Sequence, residues 1–289
     1  MENTSYKKTV NMSGANDYRG NLQITNPLTE PIMRDAIAAL HLNPGSHGLD
    51  AGCGIGLQST LLAEAIGSNG SVVGLDISDE FLANAEEMVN KSPFSRQISF
   101  QQGDVHRIPF ANNTFDWAWS ASSIGYAPFN PIQPLNEIIR VVKPGGIVAL
   151  LAWSSETLLP GYPLLEARLK ATTAGIAPFT KGKSPELNFS CALGWFRQTG
   201  MELLRAQTFV STTYAPLSKE TVKALTALIQ MRWPGVESEL SVDDAEEYQR
   251  LCRPESPDFI LNHPDYYAFF TCSMFWGSVV AKSRSKTKP

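Results

Sequence analysis

The sequence predicts an α/β protein built on a doubly wound, mostly parallel sheet of seven strands, with helical insertions late in the chain. Two observations carry this prediction. From about residue 45, short β-like runs alternate with amphipathic helical segments, which is the pattern of successive βαβ units. After Ser155 the alternation gives way to inserted segments before two more strand-like runs complete the sheet.

The first five strands follow from the chain order. "HGLDAGCGIG" is a buried strand that ends in a glycine turn, and "LQSTLLAEAIG" is a helix closed by Gly67. "SVVGLDIS" is the second strand, "SDEFLANAEEMVNK" a helix capped by Ser78 or Asp79, and "QISFQQGD" the third strand. "NTFDWAWS" is the fourth. The helix "NPIQPLNEIIRVV" is stopped by the "KPGG" run at 143–146, and "GIVALLAWS" is a strand covered on both faces.

The later part of the chain mixes core elements with insertions. "SCALGWFRQTG" predicts a short helix, "ELLRAQTFVSTTY" a sixth strand and "YYAFFTCSMFWGSVVAKS" the closing strand. Ligands of doubly wound sheets bind outside the carboxyl ends of the strands, so we expect the insertions at this edge to act as a lid. The alternative is that the inserted helices form a packed subdomain or a dimer surface, and a homodimer therefore stays open.

This organisation divides the chain into six parts. They are an N-terminal helical arm (1–44), a Rossmann-like core (45–155), a lid insertion (156–186), a continuation of the core (187–216), a helical lid insertion (217–266), and a closing strand with a basic tail (267–289).

Composition excludes several classes of function. The 289 residues are 43% hydrophobic and 18% charged, with a formal net charge of −4, which suits a globular protein and matches a nucleic-acid backbone poorly. The N-terminus lacks the apolar segment of a secretory signal, and no apolar run approaches the length of a membrane span, so we expect a cytoplasmic protein. The four cysteines are scattered without metal-ligand spacing, so no metal site is expected.

The glycine turn after the first strand is the most informative motif. Gly52, Gly54 and Gly56 form GxGxG, where small residues let the backbone approach a ligand and the next helix offers free N–H donors. A dinucleotide fingerprint would need Gly or Ala at position 57, which is Leu57, so the spacing leans away from NAD. Asp50, immediately before the turn, suits a ligand with an ammonium group better than a pyrophosphate.

Two further carboxylates follow the next strands. Asp76 ends the second strand, 20 residues beyond Gly56, where an acidic side chain can accept both hydroxyls of a ribose. Asp104 follows the third strand, where it can accept from an exocyclic amine such as that of adenine, with the Val105 N–H beside it. An adenosine that carries a cationic amino-acid tail fits all three carboxylates.

At these residues the sequence resembles the class I S-adenosylmethionine-dependent methyltransferases, particularly the small-molecule branch that includes the ubiquinone and menaquinone methyltransferases. The matching stretches are "GLDAGCGIG", "VVGLDIS", "GDVHRIPFANNTFDWAWS" and "EIIRVVKPGG", which span about residues 46–155 in the family's order. The resemblance implies S-adenosylmethionine as the cofactor. It assigns Gly52 and Gly54 to the methionine part, Asp50 to its ammonium, Asp76 to the ribose, Ile77 to the adenine face, Asp104 with Val105 to the adenine edge, and Ser120 to the surroundings of the methionine.

Residues for catalysis and acceptor binding are less sharply marked. Expulsion of a neutral thioether needs little help, so no universal catalytic residue is required. The family's branch often carries a histidine pair after the fourth strand, where this chain has "SASSIGYAPF" with Ser122, Ser123 and Tyr126. We expect Tyr126, His263 and Tyr266 as catalytic candidates, and Tyr18, Ser123, Tyr126 and Tyr267 as substrate contacts.

The sequence thus favours an S-adenosylmethionine-dependent methyltransferase that acts on a small, apolar or aromatic metabolite at O, N or C. Two alternatives stay open: a regulatory protein that binds the nucleoside without catalysis, and a nicotinamide-dependent oxidoreductase, which Leu57 disfavours.

Overall fold

The computed structural model describes residues 12–124, 130–176 and 184–280, with side chains from residue 20 onward. The chain divides into two compact units. The core unit comprises Ile32–Ser155, Lys181–Val210 and Thr271–Pro289, and the helical unit comprises Met1–Pro31, Glu156–Thr180 and Ser211–Phe270. Nothing in this division tests the six-part organisation, which stays a prediction.

Seven strands form one sheet in the order β3-β2-β1-β4-β5-β7-β6. They are β1 (His47–Ala51), β2 (Ser71–Asp76), β3 (Ile98–Gln102), β4 (Phe115–Ala121), β5 (Val142–Thr157), β6 (Glu202–Tyr214) and β7 (Tyr267–Ser278). The pairs β1–β2, β1–β4, β2–β3 and β4–β5 are parallel. Strand β7 runs against β5, because Gly145 pairs with Val279 while Ser154 contacts Thr271. The predicted fold class is confirmed.

The helices lie where the sequence predicts helical segments. They are α1 (Met12–Ala39), α2 (Leu57–Ile66), α3 (Asp79–Asn90), α4 (Ile132–Val141), α5 (Pro163–Ala171), α6 (Thr173–Ile176), α7 (Ala192–Gln198), α8 (Lys219–Arg232) and α9 (Val242–Cys252). Gly67 closes α2 with its N–H on the Glu64 carbonyl, and the Ser78 hydroxyl accepts from Phe81 N at the start of α3. None of the helices in the described part of the chain is long and apolar enough to cross a membrane.

The core of the sheet is apolar on both faces. Leu49, Leu75, Phe115 and Leu150 of the strands are fully buried together with Ile138 of α4, as expected for strands covered by helices on both sides. Removal of such side chains from water supplies the main stabilisation of the unit. The carboxyl ends of β1 to β4 are thereby held at one edge.

The "KPGG" run, which the sequence predicts as the stop of the preceding helix, has a further role in the structure. Helix α4 does end at Val141, but the run lies inside β5 as an irregularity: Phe115 pairs with Val142 and Trp117 already with Ile147. Gly146 is required there, because a Cβ would lie 2.4 Å from the Asp116 carbonyl oxygen. The register shift lies at the amino end of the strand, and the pairing from Trp117 with Ile147 to Ala121 with Leu151 is regular.

The helical unit is held together by charged groups that pair inside it. Arg232 donates to the buried Glu156 carboxylate, with Nη2 2.9 Å from Oε1. The buried Glu166 accepts from Leu158 N at 3.0 Å and pairs with Lys170, whose ammonium also donates to the Glu156 carbonyl. These bonds connect the start of the 156–186 segment to α5, which follows within the same segment, and to α8, where Arg232 is 76 residues away from Glu156.

Candidate functional site

The predicted binding residues of the core unit converge at the carboxyl edge of the sheet. In the parallel register, Asp50 on β1 stands opposite Gly74 on β2 and Trp119 on β4, and Asp76 stands opposite Gln102 on β3. The turns that follow these four strands therefore open at the same edge. We call this group of turns, residues 50–56, 76–78, 103–106 and 120–124, the carboxyl-edge site.

Each glycine of the turn has its own structural reason. All three have positive φ, 78°, 54° and 77° for Gly52, Gly54 and Gly56. A Cβ on Gly52 would lie 2.4 Å from the Ser123 hydroxyl, and one on Gly56 would lie 2.9 Å from the Phe100 ring. A Cβ on Gly54 would have no atom of the described residues within 4 Å. Only Gly54 therefore keeps its backbone open to a ligand, while the other two serve packing.

Asp76 connects the second strand to the glycine turn. Its Oδ2 accepts from Gly54 N at 2.8 Å and its Oδ1 accepts from Ser78 N at 3.0 Å. Each carboxylate oxygen retains a further lone pair, so these bonds orient the group without exhausting it. Ile77, the next residue, is an apolar side chain left 54% exposed at the edge. An oriented carboxylate beside an exposed apolar surface suits a ribose that carries a base.

Asp50 lies beneath the turn. Its side chain is fully buried and accepts from the Ser59 hydroxyl at 2.6 Å. The pKa of Asp50 is raised to about 7: burial is the main cause and the nearby charge of Asp76 adds to it, while the Ser59 bond opposes the rise. The burial of Cys53, together with the charges of Asp50 and Asp76, raises the pKa of the Cys53 thiol and keeps the thiol protonated. Sequence reasoning missed Ser59, which becomes visible only when α2 is folded over β1.

Asp104 lies at the start of the loop after β3, with its side chain 47% exposed. Its Oδ1 accepts from His106 N at 2.8 Å and lies 2.8 Å from the Nδ1 atom of the His106 ring. Val105, between them, packs against the core cluster. The sequence did not assign His106 to the site, although its spacing of two residues from Asp104 allows this local contact.

The end of β4 adds a buried hydroxyl. Four buried side-chain polar atoms lack a hydrogen-bond partner within the described ranges: Gln97 Oε1, Trp119 Nε1, Ser120 Oγ and Trp233 Nε1. Two of these belong to neighbouring residues at the carboxyl end of β4. An unpaired buried hydroxyl costs free energy unless something bonds it, so Ser120 is suited to a ligand atom at this edge. The adjacent Ser122 has a φ of 52°, a strained value for a serine.

The predicted catalytic and substrate residues are distributed differently. Ser123 packs on Gly52 in the carboxyl-edge site. Tyr126 lies outside the described residues, as does the side chain of Tyr18, whose backbone belongs to α1.

The remaining predicted residues belong to the helical unit. His263 is exposed, and its ring Nδ1 accepts from Asp265 N at 3.1 Å, which is a local turn contact. Tyr266 is 1% exposed and donates its hydroxyl to the Leu158 carbonyl at 3.2 Å, so its position is that of a core residue. This placement argues against the catalytic role expected for Tyr266. Tyr267 is 46% exposed.

A cavity of about 570 Å³ lies within the helical unit and is lined by residues between Thr157 and Lys170. It includes none of the predicted site residues. Its charged groups, Glu166 and Lys170, already bond each other, so we assign no chemistry to it. Across the described residues, no group of three or more His, Cys, Asp or Glu side chains could hold a metal ion.

Comparison with known proteins agrees with this geometry. Residues 49–150 match the family described as a methyltransferase domain, a range that contains the whole carboxyl-edge site. A demethylmenaquinone methyltransferase of Desulfitobacterium hafniense is 36% identical over 129 residues, which are 45% of this chain and 50% of that protein. The chain thus spans about half the length of the curated relatives it matches. The resemblance predicted from the four motifs is confirmed, together with S-adenosylmethionine as the cofactor of such a domain.

Solved structures support the fold. A chain of the complex between the Trm112 methyltransferase activator and its methyltransferase from Haloferax volcanii superposes with a TM-score of 0.56 at 18% identity, covering 93% of this chain and 95% of that one. The [4+2]-cyclase SpnF superposes with a TM-score of 0.50 at 22% identity, covering 86% of this chain and 81% of that one. At these identities the likeness shows the architecture alone.

Proposed function

We propose that this chain is an S-adenosylmethionine-dependent methyltransferase that transfers the methyl group to a small, apolar or aromatic metabolite at O, N or C. The observation that carries the proposal is the open backbone at Gly54, tied to the Asp76 carboxylate and followed by the exposed Ile77. This arrangement lies inside the matched methyltransferase domain.

The residues of the carboxyl-edge site fit the cofactor in four places. Asp76 has lone pairs for the two ribose hydroxyls, and Ile77 offers an apolar surface to one face of adenine. Asp104 is exposed at the edge and accepts from the 6-amino group. The Ser120 hydroxyl supplies a buried donor near the methionine part.

The bound cofactor supplies an electrophilic methyl group on a sulfonium, whose departure as a neutral thioether needs no acid. The protein then has to align the acceptor with the methyl group and exclude water. Ser123, whose hydroxyl lies close to Gly52, is our candidate for the residue that orients an acceptor. A carbon or phenolic acceptor that ionises in the site would need no strong base from the chain.

Calorimetry tests the cofactor assignment directly. We expect binding of S-adenosylhomocysteine and none of NAD, because the turn carries Leu57 where a dinucleotide fold needs Gly or Ala. Tight binding of NAD without a response to S-adenosylhomocysteine would favour the nicotinamide-dependent oxidoreductase and overturn the proposal.

A second candidate is a protein that binds the nucleoside without methyl transfer. It is favoured by the sequence "SASSIGYAPF", which lacks the histidine pair common after the fourth strand in the family. Incubation with S-adenosylmethionine labelled in the methyl group and a metabolite extract distinguishes the two. Label in a small molecule supports the transferase, and tight S-adenosylhomocysteine binding with no transferred label supports the second candidate.

We also propose that the segments 156–186 and 217–266 govern acceptor choice and not cofactor affinity, as expected of a lid. Tyr267→Ala, at the residue that directly follows the second segment, should lower turnover or change the acceptor and leave S-adenosylhomocysteine affinity within about tenfold. Val210→Ala, which removes an exposed apolar side chain of β6 outside both segments, is the matched control. Unchanged turnover in Tyr267→Ala would contradict the lid role. A cytoplasmic location, the lack of a nucleic-acid partner and a homodimer stay predictions.

A further inference from the structure

The loop that joins β3 to β4 carries the residues assigned to the adenine edge. It runs from 103 to 114, and within it Asp104 and Arg107 form an isolated antiparallel bridge. At its start, Gly103 N donates to the Asp76 carbonyl at 2.9 Å, which fixes the loop to the end of β2. A carboxylate on such a loop can read a base at a fixed position only if the other side of the loop is held as well.

Two residues of α4 hold that other side through its backbone. The Glu137 carboxylate accepts from Ile108 N at 3.0 Å. The Arg140 guanidinium donates to the Ile108 carbonyl at 2.9 Å, to the Phe110 carbonyl at 2.8 Å and to the Asn112 side chain at 3.0 Å. Both polar groups of the Ile108 backbone are therefore bound by one ion pair.

The pair itself is bidentate and charged. Arg140 contacts both Glu137 oxygens, Nε to Oε1 at 2.9 Å and Nη2 to Oε2 at 2.8 Å. This bond lowers the pKa of Glu137 and raises that of Arg140, so both groups keep their charge. An ordinary i,i+3 surface pair contributes little. Here the two side chains use their remaining donors and acceptors to bond a loop about 30 residues away in sequence. The planar guanidinium of Arg140 has enough donors to bond the loop at several points at once.

We propose that Glu137 and Arg140 are positioning residues for adenine recognition. They hold the loop at Ile108 so that Asp104, four residues earlier, stays at the carboxyl edge and accepts a hydrogen bond from the 6-amino group. This inference rests on the proposed function. It predicts that the ion pair affects the recognition of one ligand group, the 6-amino group of adenine, although neither Glu137 nor Arg140 is assigned to the binding site. Loss of the pair should therefore reduce selectivity for the amino group more than it reduces affinity for the rest of the cofactor.

The test compares two ligands: S-adenosylhomocysteine, and S-inosylhomocysteine, in which a carbonyl oxygen replaces the 6-amino group. Wild-type protein should prefer the adenosyl ligand by at least about tenfold, the value of a hydrogen bond to a charged group. Arg140→Lys keeps the charge and loses the planar fork, and Glu137→Gln keeps the shape and loses the charge. In both variants the preference should fall toward one.

Lys143→Ala is the matched control. It removes an ion pair at the other edge of the sheet, where Lys143 contacts Asp116 at 2.6 Å, and it should leave the preference at its wild-type value. Hydrogen exchange at the Ile108 amide should quicken in Glu137→Gln and Arg140→Lys and stay slow in Lys143→Ala. That measurement shows on folded protein that the loop has been released.

The outcomes separate the inference from the function on which it rests. If both ligands weaken equally in the Arg140 and Glu137 variants, the pair is only structural and the inference is overturned. If wild-type protein binds the two ligands equally, Asp104 does not read the amino group, which overturns the inference and leaves the methyltransferase proposal in place. If wild-type protein binds neither ligand, the proposed function fails and the inference fails with it.

Discussion

The carboxyl-edge site and the interior of the helical unit differ in how completely their polar groups are hydrogen-bonded. At the site, the Ser120 hydroxyl is buried and unpaired, Asp104 is half exposed, and Ile77 is an apolar side chain left in the open. In the helical unit, the buried Glu156 and Glu166 are bonded to Arg232 and Lys170. Trp233 Nε1 is the exception among the described residues of that unit.

This contrast separates residues that fold the protein from residues that await a ligand. A charged group whose bonds are complete contributes to stability and has little left for a substrate. A group whose bonds are incomplete costs stability until a ligand completes them, which is how binding sites are recognised from structure. Variants in the interior of the helical unit should therefore change unfolding, and variants at the site should change binding.

The largest effect should follow from Arg232→Ala. The variant removes the guanidinium bonded to the Glu156 carboxylate, which is 2% exposed, and removal of one partner from a buried pair costs about 3 to 5 kcal/mol of unfolding free energy. Arg253→Ala breaks the exposed pair with Glu237 and should cost less than about 1 kcal/mol. Urea unfolding measures both. A weakened affinity for S-adenosylhomocysteine in folded Arg232→Ala would contradict the separation of folding residues from binding residues.

Asp76→Ala should have the next largest effect, on binding. Loss of the ribose acceptor and of the bond to Gly54 N should weaken S-adenosylhomocysteine binding by about 1 to 3 kcal/mol. Asp116→Ala is the control, because that carboxylate also accepts a backbone N–H, from His47 at 2.8 Å, but lies at the amino edge. Calorimetry should find its affinity unchanged. Equal affinity in Asp76→Ala and wild type would move the ribose elsewhere.

Gly54→Ala and Gly235→Ala form a matched pair of backbone variants. Both glycines have positive φ, 54° and 67°, and a Cβ on either would meet no described atom within 4 Å. Each should lose about 1 to 2 kcal/mol of stability from the left-handed backbone. Only Gly54→Ala should also weaken S-adenosylhomocysteine binding, since its methyl group enters the open space over the turn. A loss of affinity in Gly235→Ala as well would mean that strain alone explains the effect.

The pH dependence of binding should report on Asp50. Burial raises the pKa of its carboxyl to about 7, and an ammonium ligand binds the ionised form, so affinity should fall as the pH drops below 7, by up to about tenfold per pH unit. Asp50→Asn should bind more weakly and lose this slope. His106→Gln in both proteins removes the imidazole beside Asp104 from the comparison.

The same shift has the opposite sign for folding. The unfolded chain releases the Asp50 proton near pH 4 and the folded protein near pH 7, so stability should fall as the pH rises through that interval. Denaturation of wild type and Asp50→Asn at pH 4 and pH 7 measures this term. A wild-type affinity that is flat between pH 5 and pH 8 would contradict the assignment of Asp50 to an ammonium.

The sequence predicted the parallel part of the fold well, because each βαβ unit carries its own local signals. Gly67 and Ser78 end and begin helices through contacts within a few residues, and such contacts are legible in a sequence. The sequence predicts the "KPGG" run as the stop of the preceding helix, because Pro and Gly disfavour a helix interior. Its inclusion in β5 depends on the pairing with β4, which no local pattern encodes.

The site was predictable as a set of types and less so as a set of contacts. The three carboxylates follow strands and were visible from spacing, but Ser59 on Asp50 and Ser123 on Gly52 depend on tertiary packing. Glu137 and Arg140 read as an ordinary helical pair in the sequence, because the loop that they hold is about 30 residues away. The sequence predicts Tyr266 as a catalytic candidate. In the structure its hydroxyl donates to the Leu158 carbonyl, which satisfies the hydrogen-bonding group of a buried tyrosine within the helical unit.

The order in which the two units appear along the chain bears on synthesis. Residues 32–155 are continuous and contain β1 to β4, most of β5 and the whole carboxyl-edge site. The helical unit needs pairs as distant as Leu158 with Tyr266, which are 108 residues apart. During translation, residues 32–155 of the core unit can therefore pair their strands well before the last residues of the helical unit have been synthesised. Truncations near residue 155 would expose the uncovered side of β5, and the nascent chain is most vulnerable to aggregation over that interval.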